Sequence, residues 1–111
     1  MIECIFCKIA QKKAPANIIY EDDDCLAFED SNPQAPVHFL VIPKKHIETV
    51  LDSDEQILGK LTRLAANLAE QKGVSKNGFR TVINCNRHAG QTVYHLHVHV
   101  LGGRWFSWPP G

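Results

Sequence analysis

The chain lacks a surplus of either charge, a long apolar run and any repeat or low-complexity segment. Its 111 residues carry 12 basic and 12 acidic side chains, which gives a formal net charge of zero. Because proteins hold a polynucleotide backbone mainly with a basic surplus, this balance disfavours a nucleic-acid partner. No apolar run approaches the roughly 20 residues of a membrane-spanning helix, and no secretory leader is visible. We therefore expect no membrane partner.

Cysteine is also sparse, with four in the chain. A domain of this length buries about two-thirds of its unfolded surface, so it can hold a core without disulfides. We expect a single domain over residues 1–111 in the reducing cytoplasm. The near-zero net charge lowers the barrier to self-association.

Hydrophobic periodicity predicts two helices and about five strands. The first helix covers Cys4–Lys13, and the second opens at a capping box of Ser53 and Gln56 and stops near Gly73. The predicted strands are Ile18–Tyr20, Cys25–Phe28, Val37–Ile42, Phe79–Cys85 and Val93–Leu101. Strands and helices are segregated along the chain. This order favours an α+β fold with a mainly antiparallel sheet and helices on one face.

The last predicted strand reads YHLHVHVL from Tyr94 to Leu101. Side chains alternate across a strand, so His95, His97 and His99 share one face and the apolar residues between them point into a core. The outer two start roughly 13 Å apart, too far for one metal to bind all three readily. The row could share a metal between neighbours, or perform nucleophilic and acid–base work on an anion. The plain alternative is a solvated polar strand face.

A loop over residues 84–92 leads directly into this row. Gly90 lets the backbone approach a ligand closely, and the Thr92 hydroxyl with the loop amides can donate to phosphate oxygens. His97 stands at the centre of the row, where its neighbours can orient it, so it is the candidate nucleophile. An ordinary hairpin loop would look similar in sequence.

Residues 91–104, QTVYHLHVHVLGGR, closely resemble the histidine triad (HIT) family, most of all its Hint branch of purine nucleoside phosphoramidases. Residues 31–46 and the tail 108–111, WPPG, resemble the same branch. The resemblance implies a small antiparallel sheet with two helices, paired as a homodimer. It implies hydrolysis or transfer of nucleotides from purine nucleoside phosphoramidates and related conjugates through a nucleotidyl-histidine intermediate. No cofactor is implied for that chemistry.

The resemblance also implies residue roles. It assigns the nucleophile to His97 and matches His38 to a fourth active-site histidine beside His95 and His99; a buried core histidine is the alternative for His38. Positions that contact the phosphate match Asn84, Gln91, Thr92 and His99. Positions that sandwich the base or bind ribose match Ile5, Phe6, Ile9, Phe28 and Asp30. Plain core packing is the alternative for the apolar four.

The CIFC motif at Cys4–Cys7 predicts either a metal knuckle or a redox pair. A thioredoxin-like site expects a strand before the motif, which the first residues do not supply. Zinc-bearing members of the resembled family bind through positions that match Cys4, Cys7, His46 and His95. The resemblance therefore implies a structural zinc, with two free thiols as the alternative.

The tail over residues 102–111 is too apolar for a loose terminus, because Trp105, Phe106 and Trp108 fall within it. We expect it to be docked on protein surface. In the Hint branch the corresponding tail reaches the partner's active site, which would make Trp108 a determinant of leaving-group preference. The alternative is that it covers an apolar patch on its own subunit.

Two other functions compete with the hydrolase. One is a metal-dependent enzyme that uses His95 and His97 as ligands. The other is a non-catalytic module that binds purine nucleotides without turning them over.

Overall fold

A five-stranded antiparallel sheet forms the centre of the computed structural model, which describes residues 3–111. The strands are β1 (Ile18–Glu21), β2 (Cys25–Glu29), β3 (Val37–Pro43), β4 (Phe79–Val82) and β5 (Val98–Gly102), in the spatial order β1-β2-β3-β5-β4. The helices are α1 (Ile5–Ala10), α2 (Glu55–Gln71) and α3 (Asn86–Ala89). The α+β class and the five strands are confirmed.

The central strand β3 is apolar along nearly its whole length because both of its faces are covered. Phe39 and Val41 pack with α2, whereas Leu40 and Ile42 pack with α1. The expectation of helices on one face is therefore wrong. The α1 segment presents Phe6 and Ile9 to the opposite side of the sheet.

The start of α2 differs from the prediction by one residue. Its N-cap is Asp54, whose carboxylate accepts from the Ile57 N–H at 2.9 Å. Ser53 instead ends a short 3-10 turn over Val50–Asp52, and the capping box belongs to that turn, between Thr49 and Asp52. The helix ends as predicted, with Gly73 just beyond it at φ 79°.

The last strand begins at Val98 rather than at Val93, so His95 and His97 precede it. The neighbouring β3 ends at Pro43, which has no N–H with which to extend the ladder. The Leu96 N–H bonds to the Ile47 carbonyl at 2.6 Å instead. Alternation nevertheless continues through this segment, since Leu96 is buried in the α2-side core with Val98 and Val100.

The segment predicted as a strand up to Cys85, followed by a loop, also differs from the prediction. Strand β4 ends at Val82, and residues 86–89 form the short helix α3, which Gly90 closes at φ 81°. Residues 3–111 thus contain three α-helices where two were predicted. Among residues 3–111, no helix is both long enough and apolar enough to cross a membrane.

Candidate active site

The three histidines of the row lie on the α1 side of the sheet. The Phe6 ring contacts the His97 ring edge-on at a centroid distance of 5.1 Å and the His95 ring at 5.9 Å. The His97 and His99 rings are 4.9 Å apart. His38, from β3, adjoins His99 with ring centroids 5.3 Å apart. The structure therefore brings together all four histidines predicted to be catalytic.

His97 is held in one tautomer by its own backbone. Its Nδ1 lies 2.7 Å from the carbonyl oxygen of His95, and only an N–H can donate to a carbonyl. The neutral ring must therefore carry its proton on Nδ1 and a lone pair on Nε2. Burial lowers the pKa of His97, and the hydrogen bond to the His95 carbonyl offsets this only in part. The ring is therefore neutral at pH 7. A neutral imidazole with a free Nε2 is the form that can act as a nucleophile.

A hydrogen bond from His38 can set the tautomer of His99. The Gln34 backbone N–H donates to Nδ1 of His38 at 3.0 Å, so the neutral His38 ring carries its proton on Nε2. That Nε2 lies 3.0 Å from Nδ1 of His99 and 3.3 Å from a carboxylate oxygen of Asp30. When His38 donates to His99, the proton of the neutral His99 ring is on Nε2. His99 then presents a hydrogen-bond donor.

Burial keeps this histidine pair uncharged. Burial, together with the neighbouring His97 and His38, lowers the pKa of His99 to about 4. Burial also lowers the pKa of His38, against the opposing effect of the Asp30 carboxylate. The pair therefore offers fixed dipoles at neutral pH.

A second cluster joins the start of α1 to the histidine row. Nδ1 of His95 lies 3.3 Å from Sγ of Cys4, 3.5 Å from Sγ of Cys7 and 3.3 Å from Nδ1 of His46. Cys7 Sγ lies 3.3 Å from Nδ1 of His46. Ligand atoms on one tetrahedral zinc, bound at about 2.0–2.3 Å, lie roughly 3.3–3.8 Å from one another. The four side chains predicted as zinc ligands have the donor set and spacing that zinc requires.

A hydrogen bond from His95 to the Pro43 carbonyl supports this arrangement. Nε2 of His95 lies 2.7 Å from that oxygen, so the proton is on Nε2 and the lone pair on Nδ1 faces the cysteines. His95 is fully buried, and burial lowers its pKa. In the thiol state, burial and the neighbouring Cys4 raise the pKa of Cys7 to about 11. A bound cation would oppose that increase.

Asp30, His38 and His99 form another set of possible ligands. A metal on Nε2 of His38 would require a proton on Nδ1, yet Nδ1 already faces the Gln34 N–H. This pocket is therefore better suited to hydrogen bonding. In the described part of the chain, neither ligand cluster combines His95 with His97, which removes the geometric basis for a metal shared by that pair.

The predicted phosphate loop contains one buried residue, Gln91. Its Oε1 accepts from the Asn86 N–H at 2.9 Å, and its Nε2 donates to the carbonyls of Glu48 and Val93 at 2.8 and 3.1 Å. The side-chain amide is therefore bonded to backbone groups that shape the loop. Thr92 is exposed at the surface.

The remaining phosphate candidates lie at the same end of the sheet. Asn84 follows β4 by two residues and is half-buried. Val82, the last residue of β4, pairs with His99, which places the start of the loop beside the histidine row. Gly90 is in the left-handed region, and a Cβ built there meets nothing within 4 Å, so open space adjoins this backbone.

Three of the nucleoside candidates are packed together. Phe6, Ile9 and Phe28 belong to the α1-side core cluster, and the Phe6 and Phe28 rings meet edge-on at 5.3 Å. Ile5 is 48% exposed, so it can contact a ligand directly. The half-buried Asp30 directs one carboxylate oxygen to His38, while the other accepts from the Asn32 N–H at 2.8 Å.

The tail is anchored by Phe106, whose ring lies 5.2 Å from the Arg80 guanidinium and 4.3 Å from that of Arg104. Arg104 also donates from Nε to the Gln34 carbonyl at 3.1 Å. Trp105 and Trp108 are 96% and 81% exposed. The start of the tail is therefore docked on its own subunit, and both indoles face outward.

Sequence reasoning missed the backbone groups that control the site. The Pro43 carbonyl accepts from the His95 ring, and the Ile47 carbonyl accepts from the Leu96 N–H. The Glu48 carbonyl accepts from the Gln91 side chain, and the Gln34 N–H orients the His38 ring. Every residue has a carbonyl, so no residue-type signal could have identified these.

A family model for the HIT domain matches residues 11–105. The chain belongs to the HIT family. The three alternating histidines therefore occur in a protein of the family that is named after them.

Individual HIT proteins agree with this assignment. An uncharacterized HIT-like protein from Synechococcus elongatus is 52% identical over 98% of this chain and 97% of its own length. A HIT family hydrolase from Legionella pneumophila has 49% identity and a TM-score of 0.95, covering 98% of this chain and all of the other. A zinc-bound histidine triad protein from Mycobacterium smegmatis has 34% identity and a TM-score of 0.82, covering 91% of this chain and 75% of the other.

Proposed function

We propose that this HIT protein is a nucleotidyl hydrolase or transferase that cleaves purine nucleoside phosphoramidates and related nucleotide conjugates. The observation that carries the proposal is the tautomer of His97, whose Nδ1 is bound to the His95 carbonyl while Nε2 retains its lone pair. The similarity to a HIT family hydrolase supports the reaction class. The purine phosphoramidate substrate rests on the resemblance to the Hint branch.

In the first step, Nε2 of His97 attacks the α-phosphorus. A nitrogen–phosphorus bond forms to the ring, and the bond to the leaving amine breaks with its electron pair going to the amine, which takes a proton from water. The Nδ1–H stays hydrogen-bonded to the His95 carbonyl, which stabilises the positive charge gained by the ring. The Nε2–H of His99 donates to a phosphoryl oxygen.

In the second step, water attacks the phosphorus and the bond to His97 breaks. The electron pair returns to Nε2, the water loses a proton to solvent, and a nucleoside monophosphate leaves. Backbone amides of the 84–92 loop, with Asn84 and Thr92, would hold the phosphate. Ile5 would cover the base beside the Phe6 and Phe28 wall, and Asp30 would accept from ribose hydroxyls.

We further propose that Cys4, Cys7, His46 and His95 hold a structural zinc. These four ligands would fill all positions of a tetrahedral ion and leave none for water. The bound ion would tie α1 to the histidine row. Both thiols must remain reduced for this role, which agrees with a cytoplasmic location.

The proposal includes a homodimer over the single domain 1–111. The exposed Trp105 and Trp108 support it, because two outward indoles on a docked tail are typical of surfaces that meet a partner. A second subunit would place Trp108 near the site where leaving groups depart.

Hydrolysis of an adenosine phosphoramidate tests the function. The wild type should release AMP, the His97→Ala variant should release none above background, and the Gln56→Ala variant, altered at an exposed residue of α2, should resemble the wild type. Tight AMP binding without release of AMP by the wild type would favour the non-catalytic binding module instead.

A further inference from the structure

Gln91 connects two sites that the sequence treats separately. Its side chain is buried and all of its polar atoms are engaged. The Asn86 N–H donates to the Gln91 side chain, and the Gln91 N–H donates to the Asn86 carbonyl. These two bonds close the turn of the loop over residues 84–92, which we call the anion loop. The side-chain Nε2 donates to the nearby Val93 carbonyl and to the Glu48 carbonyl, which is 43 residues away in the chain.

The Glu48 carbonyl belongs to the segment that also carries His46. Within it, Pro43 accepts from the His95 ring, Ile47 accepts from the Leu96 N–H, and Glu48 accepts from Gln91. One short stretch of backbone, residues 43–48, therefore accepts hydrogen bonds from three parts of the site. His46 is the residue of that stretch whose side chain joins the cysteine cluster, and it is otherwise exposed.

We propose that Gln91 is a positioning residue that couples the Cys/His cluster to the anion loop, so that zinc at the cluster orders the loop and tightens phosphate binding there. This inference rests on the proposed nucleotide site and the proposed zinc site. Zinc on His46 fixes the backbone at residues 46–48, and Gln91 transmits that constraint to residues 86–91 through a single side chain. By linkage, a bound phosphate must tighten zinc to the same extent.

The loop carries its own probe, because Arg87 is exposed in α3 and trypsin can cut after it only when the loop opens. Lys76, exposed in the turn after α2, serves as the internal standard. Zinc removal from the wild type should speed cleavage after Arg87 about fivefold or more while leaving cleavage after Lys76 unchanged. Equal acceleration at both positions, or none at either, would overturn the coupling.

Two variants remove the hydrogen bond from Gln91 to Glu48. Gln91→Glu keeps the acceptor for the Asn86 N–H and removes the donors to Glu48 and Val93, whereas Gln91→Met removes all three bonds. Both should bind a full equivalent of zinc, and both should be cut rapidly after Arg87 with or without zinc. Gln56→Glu, at an exposed glutamine of α2, should behave as the wild type.

Calorimetric titration with AMP completes the test. The wild type should bind AMP about fivefold or more tightly with zinc than without it, and the Gln91 variants should bind weakly in both states. AMP affinity that is independent of zinc in the wild type, or equally zinc-dependent in Gln91→Glu, contradicts the coupling. If AMP does not bind at all, the proposed nucleotide site is contradicted. The trypsin experiment still decides whether Gln91 couples the loop to the cluster.

Discussion

Nε2 of His38 lies 3.0 Å from Nδ1 of His99, and the opposite nitrogen of His38 accepts from the Gln34 backbone N–H at 3.0 Å. The main chain therefore sets the proton position in one ring, and that ring can set it in the next. The same logic applies to His97 through the His95 carbonyl. His97 and His99 therefore each have one nitrogen held by a neighbouring group and the other available for chemistry.

Loss of His38 should therefore change the tautomer of His99. In His38→Ala, Nδ1 of His99 loses its donor, so both neutral tautomers become populated and the Nε2–H is present only part of the time. We expect kcat to fall about tenfold to a hundredfold, no more than the loss of an oxyanion donor. Long-range ¹H–¹⁵N spectra of the imidazoles report the tautomer, with His88→Ala as the control. An unchanged His99 spectrum in His38→Ala would show that His38 has no such role.

Stability should fall on acidification because of the buried histidines. The unfolded chain protonates His99 near pH 6.5, whereas burial holds the pKa of the folded side chain at about 4. Between those values the unfolded state binds more protons, so the free energy of unfolding decreases as the pH falls from 6.5 towards 4. A shift of this size corresponds to roughly 3 kcal/mol for one group.

Denaturant unfolding of the wild type, His99→Gln and His88→Gln at pH 7 and pH 4.5 checks this expectation. The His99→Gln protein should lose less stability between the two pH values than the wild type, and His88→Gln should lose as much. Parallel losses in all three proteins would assign the acid sensitivity to other groups.

Zinc removal should lower stability more than intrinsic activity, since the proposed ligands leave no open position for a catalytic water. Protein purified without chelator should contain close to one zinc by elemental analysis. Cys7→Ser should lose the metal and melt at a lower temperature, whereas Cys85→Ser, which alters a thiol outside the cluster, should retain it. Less than about a tenth of an equivalent of zinc in the wild type would count against the site.

The tail should affect substrate choice more than stability. Light scattering should give a homodimer, and Trp108→Ala should change by about threefold or more the kcat/KM ratio between phosphoramidates with a bulky aromatic amine and with ammonia as leaving groups. Truncation after Arg104 should do the same with a smaller effect on melting temperature. Leu51→Ala, at an exposed apolar residue outside the tail, is the control. A monomer, or unchanged preference after truncation, would contradict this role.

The sequence predicted which side chains share a face of the sheet, but not where the strands begin and end. The alternation of His95, His97 and His99 with apolar residues placed the rings on one side, and the structure agrees. The start of β5 could not be predicted, because it depends on where the neighbouring strand β3 ends, at Pro43, which has no N–H. The position of α1 was equally hidden, since its short apolar stripe fits either face.

The candidate site was likewise predictable only in part. Residue types and the family resemblance named the four members of the Cys/His cluster, which the fold brings within ligand distance. They did not indicate that the Gln91 side chain is bonded to backbone groups of two segments, because its partners are carbonyls and an amide that no residue type identifies. The tautomers of the histidines were inaccessible for the same reason, since carbonyls and amides from other elements fix them.

The most direct measurement of the central claim is the intact mass of the protein during turnover of an adenosine phosphoramidate, quenched rapidly and digested to locate the modification. We expect the wild type to carry one adenylyl group on His97, and His97→Ala to carry none and to lose more than about a thousandfold in kcat while still binding AMP. An adduct on another residue, or turnover by His97→Ala within tenfold of the wild type, would contradict nucleophilic catalysis by His97.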